Sequence, residues 1–281
     1  MSRKKPRPQP RPAEPVPGLT DSHTHLASVG ATTPEEVRAV MDRARAAGVE
    51  RVCTVGDDLA ECRAAAAAAE ADPGVYCAVA IHPTRAGELD GAAKAELREL
   101  ASRPRCVAVG ETGIDGYWLE REPETTAPMA VQKKSFAWHV DLACELGKPV
   151  MIHNREGDEE VFEVLDAAKE RPREVILHCF SSPLETAKEA LERGYVLSFS
   201  GNVTFKRNEE LREAARIAPV EQLLVETDAP FLTAEPYRGG KNEPALVGHQ
   251  LRRVAEVRGE DPEVLAAGVA RTFDRVYGLG E

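Results

Sequence analysis

A short apolar run followed by a longer stretch rich in Ala, Glu, Arg and Leu recurs eight times along this chain. The short runs fall near 18–25, 51–56, 75–82, 106–111, 149–153, 174–179, 195–200 and 222–228. Helical patterns lie near 34–48, 58–71, 91–102, 129–147, 158–170, 183–193, 208–216, 244–258 and 262–277. Runs such as Val150-Met151-Ile152 and Val175-Ile176-Leu177 are continuously apolar, as strands covered on both faces are. Strands that alternate with helices pair in parallel. Eight such units within about 260 residues predict an α/β fold, a single-domain (β/α)8 TIM barrel over 19–281. The length of 281 residues would also suit nearly two average domains, but barrels of this kind commonly run about 250 residues as one. The alternative is an open doubly wound sheet. It requires a glycine-rich phosphate loop after an early strand, and neither GxGxxG nor GxxxxGK followed by Ser or Thr occurs. Thr33-Pro34-Glu35-Glu36 reads as a helix start, and Gly147 before Pro149 as a helix stop.

Hydrophobic residues at 42% allow a large core and exclude wholesale disorder. No apolar stretch approaches the roughly 18 residues of a membrane-spanning helix, so no membrane association is expected. The net charge is −11, yet residues 1–20 carry five basic residues against one acid, which leaves −15 on the remainder. Such a body is not a bulk nucleic-acid binder of the basic-patch kind. The proline-rich segment 1–18 is expected to be a disordered tail. It lacks the apolar core of a secretory signal. Six cysteines without a CxxC pair read as reduced thiols in the cytoplasm.

The chemistry is concentrated at the ends of the apolar runs. His23 and His25 are two apart at the end of the first, so their imidazoles share a face. Glu111, His153, His178 and Asp228 end four of the others. In a barrel those ends meet on one rim, where the active site lies. Four imidazoles and two carboxylates buried together need cations to offset desolvation and repulsion. Nitrogen and oxygen donors suit Zn, Mn, Fe or, less well, Mg. Six ligands exceed one tetrahedral site, so two divalent ions are expected, about 3.5–4 Å apart across a shared carboxylate. Amidohydrolase-type barrels often bridge their ions with a carboxylated lysine on the fourth strand. No lysine lies between Lys94 and Lys133, which leaves that task to Glu111.

Other residues are candidates for substrate contact. His82, closing the third run, is expected to donate to a substrate oxygen or act as an acid, with a plain turn before Pro83 as the alternative. Arg155 and Arg238 sit in loops from which each can clamp a phosphate. Asn242 and Glu243 read as caps of the following helix, with Asn242 also a candidate site contact. Glu226 shares the face of Asp228 and is a candidate for supporting the site or holding a further ion. His139 and His249 lie in helical patterns and read as packing or surface residues. Phe180, Phe205 and Tyr237 are free to stack on a base or to pack in the core.

The sequence resembles the TatD family of metal-dependent hydrolases. The likeness runs from about 19 to 281 and rests on DSHTHL at 21–26, IHP at 81–83, GETGID at 110–115, PVMIHNR at 149–155, HCFSS at 178–182, FSGNVTFK at 199–206, ETDAPFL at 226–232 and RGGKNEP at 238–244. The resemblance implies that His23, His25, Glu111 and Asp228 hold one metal, and that Glu111, His153 and His178 hold a second. Ala80 and Ser182 stand where the family has glycine, and Gly116–Pro128 is only loosely similar. The activity implied is that of a deoxyribonuclease: exonucleolytic phosphodiester hydrolysis by a hydroxide shared between two metals. Asp228, Glu111 and His82 are the expected catalytic residues, with Asp228 as general base. The partner is a single-stranded or frayed DNA end, and the protein is expected to be a monomer. The alternatives are a D-aminoacyl-tRNA deacylase, a small-molecule amidohydrolase or phosphotriesterase-like esterase, and a non-catalytic scaffold.

Overall fold

The structure is a computed structural model that describes residues 9–280. Eight strands run through it: β1 (Leu19–Thr24), β2 (Val49–Gly56), β3 (Val75–Val79), β4 (Cys106–Asp115), β5 (Val150–Arg155), β6 (Val175–Leu177), β7 (Val196–Phe199) and β8 (Leu223–Val225). They lie side by side in chain order, all parallel. Beyond the ends of β8 and β1 a bridge between Thr24 and Ala229 closes the ring, supported by His25 N–H to the Ala229 carbonyl at 2.8 Å and Asp228 N–H to the His23 carbonyl at 3.0 Å. This is the TIM barrel expected.

Helices cover the outside: α1 (Leu26–Val29), α2 (Pro34–Ala46), α3 (Leu59–Ala71), α4 (Gly91–Ala101), α5 (Gly116–Arg121), α6 (Met129–Leu146), α7 (Asp158–Ala167), α8 (Leu184–Glu192), α9 (Glu209–Ile217), α10 (Gly248–Arg258) and α11 (Pro262–Tyr277). The α2 start forms as expected: Glu36 N–H donates to Thr33 Oγ1, and the Glu36 carboxylate accepts from Thr33 N–H at 3.0 Å, behind Pro34 in the first turn. Gly147 ends α6 with φ of +62°, a left-handed backbone that strains residues bearing a side chain. Every residue of β1 and of β4 is buried, as strands between a filled interior and a helical coat must be. No helix is long and apolar enough to cross a membrane.

Several boundaries differ from the sequence reading. The third strand stops at Val79, because His82-Pro83 opens a short 3-10 turn, and proline has no N–H for a ladder. The fourth extends to Asp115, pairing with β5 as far as Arg155. The sixth and eighth end at Leu177 and Val225, so His178 and Asp228 stand in the turns beyond their strands. The pattern near 244–258 divides into a 3-10 turn at Pro244–Leu246 and α10. The short α1 and α5 carry too few residues for a periodic signal. Part of the expected tail, 1–8, lies outside the described residues. Residues 9–18 are not loose: Val16 is buried, the Arg11 carbonyl accepts from His249 Nε2 at 2.8 Å, and the Glu14 carbonyl accepts from Arg252. The apolar Val16 and α10 side-chain donors anchor this stretch despite its proline content.

At Gly113 the backbone takes φ of +140°, and a β-carbon there would lie 2.1 Å from the His153 carbonyl oxygen. The close approach of β4 to β5 just beyond Glu111 therefore requires glycine. Gly113→Ala is expected to lower stability by about 2 kcal/mol or more in urea denaturation. A change under about 0.5 kcal/mol would show that the two strands separate freely at this point.

Candidate metal centre

The barrel's C-terminal rim surrounds a cavity of about 680 Å³ whose lining includes His25, His82, Glu111, His153, His178 and Asp228. His23 stands beneath it, fully buried. Of the six ligands expected, all meet around one side chain. Glu111 is 3% exposed and presents its two oxygens in different directions. Oε1 lies 3.4 Å from His23 Nε2 and 3.4 Å from His25 Nε2. Oε2 lies 2.7 Å from His178 Nε2 and 3.1 Å from His153 Nδ1. Asp228 Oδ1 joins the first set at 3.7 Å from His23 Nε2 and 3.6 Å from His25 Nε2. One carboxylate thus faces two groups of imidazoles.

Local backbone makes these positions possible. Asp228 has φ of +53° and Cys179, next to His178, has φ of +45°. Left-handed backbone at non-glycine residues is uncommon and costs about 1–3 kcal/mol, and it concentrates at functional sites. Asn242 holds the Asp228 turn from behind, its side-chain amide donating to the Thr227 carbonyl at 2.9 Å and the Phe231 carbonyl at 2.6 Å. Asp21 accepts from Thr227 N–H at 2.8 Å and Thr227 Oγ1 at 2.6 Å.

Two further carboxylates orient the imidazoles. Glu226 is buried, with Oε1 3.3 Å from His178 Nδ1 and accepting from Cys179 N–H at 2.7 Å, while Oε2 accepts from Ser198 Oγ at 2.5 Å. Asp115 Oδ2 lies 2.9 Å from His153 Nε2. A carboxylate behind an imidazole is the usual support of a metal-bound histidine. Asp57 Oδ1 faces His25 Nδ1 at 3.7 Å, and neither atom has a hydrogen-bond partner.

The electrostatics are those of a cation site. Burial alone would lower His25, but the carboxylates of Asp57, Asp228 and Glu111 outweigh it and push the imidazole up to about 10. His178 is likewise raised, Glu111 and Glu226 overcoming burial. Burial would raise Glu111, yet His178 and His23 hold it well below the usual carboxylate range. Asp228 is held down in the same way by His25 and His23. Burial raises Asp57 to about 8 against the opposing pull of His25. His178 Nε2 is buried and 2.7 Å from Glu111 without hydrogen-bond alignment. The donor set is nitrogen and oxygen only, with lone pairs converging, and it fits divalent ions.

The remaining candidates separate. His82 lines the cavity, its Nδ1 accepting from Thr84 N–H at 3.3 Å and its Nε2 3.3 Å from His153 Nδ1. Burial and the neighbouring His153 push it down to about 3, and with Nδ1 accepting from Thr84 N–H, Nε2 is the nitrogen left to donate. Arg155 reaches the cavity, its guanidinium carbon 3.5 Å from the Tyr117 ring centre. Arg238 does not; it lies over Phe205, 4.2 Å from the ring centre, in a neighbouring hollow. Asn242 points its amide at the backbone rather than into the cavity, because that turn's carbonyls need donors. Glu243 pairs with Arg43 instead of capping a helix by its side chain. His139 is buried and neutral, pushed down to about 4 by burial, and accepts from Ile81 N–H at 3.2 Å. Phe180 is core, packed on Phe199, and Tyr237 meets His249 edge-on. The rings that do stand at the cavity are Trp118 and Phe231, 37% and 54% exposed. Sequence reading missed these two, and also Asp57, Asp115 and Arg85. Asp57 follows an apolar strand and Asp115 ends one, the same signal that singled out the candidate ligands.

The family model described as TatD related DNase matches residues 20–278. This chain belongs to the TatD family. It is 51% identical over 262 residues to a protein of Mycobacterium tuberculosis named as an uncharacterized metal-dependent hydrolase TatD, covering 93% of this chain and 98% of that one. A protein of Escherichia fergusonii named 3′-5′ ssDNA/RNA exonuclease TatD is 33% identical over 246 residues, 85% of this chain and 92% of its own. The crystal structure of a TatD homologue from Escherichia coli K12 superposes with a TM-score of 0.82 at 24% identity, covering 92% of this chain and 98% of that one. The chain is therefore a metal-dependent hydrolase of the TatD family, with side-chain clusters able to bind metal.

His25 is pushed up to about 10 by its carboxylate neighbours and His178 is raised as well, so an ion binding there competes with protons. His25 loses its proton only as pH climbs toward about 10, so metal affinity is expected to rise between pH 6 and 9, roughly tenfold per unit for that proton. Calorimetric titration in buffers of different ionisation enthalpy checks this, and a flat profile contradicts it. Glu226→Gln is expected to weaken metal binding by about 10–100-fold through His178. Unchanged affinity in the same titration would remove Glu226 from the support of the site.

Proposed function

We propose that this TatD-family chain is a divalent-metal-dependent phosphodiesterase that removes nucleotides from the end of single-stranded DNA. The observation that carries the reading is the split presentation of Glu111, one oxygen to His23 and His25 and the other to His153 and His178. On this reading His23, His25, Asp228 and Glu111 would hold one ion, and Glu111, His153 and His178 the other. Bound ions of this kind lower the pKa of water to about 7 and neutralise charge on a phosphate.

The chain's own residues supply the rest. The Asp228 carboxylate is ionised at neutral pH and stands at the cavity wall, where it orients a water and accepts its proton as the water oxygen bonds to phosphorus. The P–O ester bond breaks, and the leaving oxygen departs with a proton from solvent. His82, neutral and donating through Nε2, hydrogen-bonds a phosphate oxygen. Arg155 is held by Tyr117 within the cavity wall and offers its guanidinium to the same group. Trp118 and Phe231 provide exposed rings for the terminal bases. A cavity of about 680 Å³ suits a small ligand or a chain end and not a duplex. The relatives named as ssDNA/RNA exonucleases support the same substrate class.

The deciding assay offers the metal-reconstituted protein single-stranded DNA labelled at the 3′ or 5′ end, D-aminoacyl-tRNA and simple esters, with EDTA and Glu111→Ala as controls. DNA is expected to shorten from one end, and both controls to stop it. Cleavage of the aminoacyl ester with DNA untouched would overturn the reading. Asp228→Asn is expected to retain much of its metal and lose turnover by about 100-fold or more. Near-normal turnover in that variant would end the assignment of Asp228 as base.

A further inference from the structure

A second hollow, of about 430 Å³, lies beside the central cavity and is lined by Phe205, Lys206, Arg207, Asn208, Glu235 and Arg238. The same two loops build both. The loop after β7 places Asn202 in the central cavity and Phe205 to Asn208 in the second. The loop after β8 places Phe231 and Leu232 in the first and Glu235 and Arg238 in the second. The loops are tied to each other where Glu235 N–H donates to Thr204 Oγ1 at 2.9 Å. Within the β7 loop the Asn208 side chain donates to the Asn202 carbonyl at 2.9 Å. The two hollows are therefore neighbouring stations on one rim.

Charge reverses from one to the other. Asp57, Glu61, Glu111, Asp115 and Asp228 line the central cavity against Arg85 and Arg155, and Arg85 is already paired with Asp58 and Glu88. The second hollow sets Lys206, Arg207 and Arg238 against Glu235 alone. Many arginines elsewhere on this acidic body are matched with carboxylates, as Arg43 is with Glu243, Arg63 with Glu96 and Arg98 with Glu145. Among the described residues Lys206, Arg207 and Arg238 have no such partner, and Lys206, Arg207 and Arg238 are all exposed. Arg238 lies 4.2 Å from the centre of the Phe205 ring, a planar cation backed by an aromatic face. Unmatched cations beside an aromatic ring are what a single strand's phosphates and bases require.

We propose that this hollow is a backbone subsite, holding phosphates of a single-stranded nucleic acid whose end occupies the central cavity. The proposal rests on the phosphodiesterase reading for the direction of the strand, but its test is one of binding and not of cleavage. The probes are fluorescent phosphorothioate strands of about ten nucleotides and of two, titrated into the metal-loaded protein by anisotropy. The wild type is expected to prefer the longer strand. In the exposed pair variant K206Q/R207Q that preference falls by roughly tenfold, and the dependence of log affinity on log salt becomes shallower by about 1.4. K169Q/R171Q neutralises two exposed cations at the opposite end of the barrel and is expected to leave both values unchanged. An unchanged length preference in K206Q/R207Q, or an equal loss in K169Q/R171Q, overturns the proposal, with far-UV circular dichroism and thermal melting confirming that both variants fold. Strand preference with no cleavage of unmodified DNA would retain the subsite while the phosphodiesterase reading fell. Cleavage without strand preference would do the reverse.

Discussion

One carboxylate, Glu111, buried among imidazoles, is the constraint that the rest of the molecule serves. Taking a carboxylate out of water is costly unless charge and hydrogen bonds replace the solvent. Here the replacement comes from His23, His25, His153 and His178, each from a different part of the rim apart from the first two. That arrangement demands a closed ring of parallel strands, because no open sheet brings the ends of β1, β4, β5 and β6 around one point. It also demands that β4 run on beyond Glu111, close against β5, with Gly113 admitting the His153 carbonyl.

Around that hub the polar residues form layers rather than isolated contacts. Asp115 and Glu226 stand behind His153 and His178; Ser198 and the Cys179 N–H stand behind Glu226. His139, accepting from Ile81 N–H and 3.2 Å from Thr112 Oγ1, ties the end of β4 to the turn that carries His82. A partly satisfied buried network would be worse than an apolar core. Among the buried side-chain atoms without a hydrogen-bond partner, His25 Nδ1, Asp57 Oδ1 and His178 Nε2 belong to residues that line the cavity. Unsatisfied valence is thus present where a cation would enter.

The barrel and the six candidate ligands were legible because they leave a short-range signature: an apolar run ending in a histidine or acid, repeated. The same signature was present at Asp57 and Asp115 and was passed over, since a lone acid after a strand also reads as a helix cap, which Asp115 in fact is for α5. What the sequence could not show is where long side chains in loops finish. Arg155 and Arg238 look alike in the chain, but Tyr117 draws one into the cavity wall and Phe205 holds the other in the adjoining hollow. Asn242 looked like a ligand contact because the carbonyls it serves, at Thr227 and Phe231, come from eleven and more residues away. The ordered stretch 9–18 was hidden for the same reason: its partners, His249 and Arg252, are distant in sequence.

On the phosphodiesterase reading proposed above, the distribution of charge bears on how an acidic protein would act on a polyanion. Carboxylates outnumber arginines around the cavity, and at moderate ionic strength the field of a surface charge extends about 10 Å. Bound divalent ions would add positive charge locally, which on that reading would couple substrate entry to metal loading. A strand extending beyond the reacting phosphate would gain little from those ions and would need its own cations on the rim. Spreading positive charge over the whole body would give duplex binding at any site along DNA. Unmatched cations on the loops after β7 and β8 would instead attract a chain oriented toward the cavity, so on this reading the acidic surface that weakens general nucleic-acid binding would sharpen the choice of a free end.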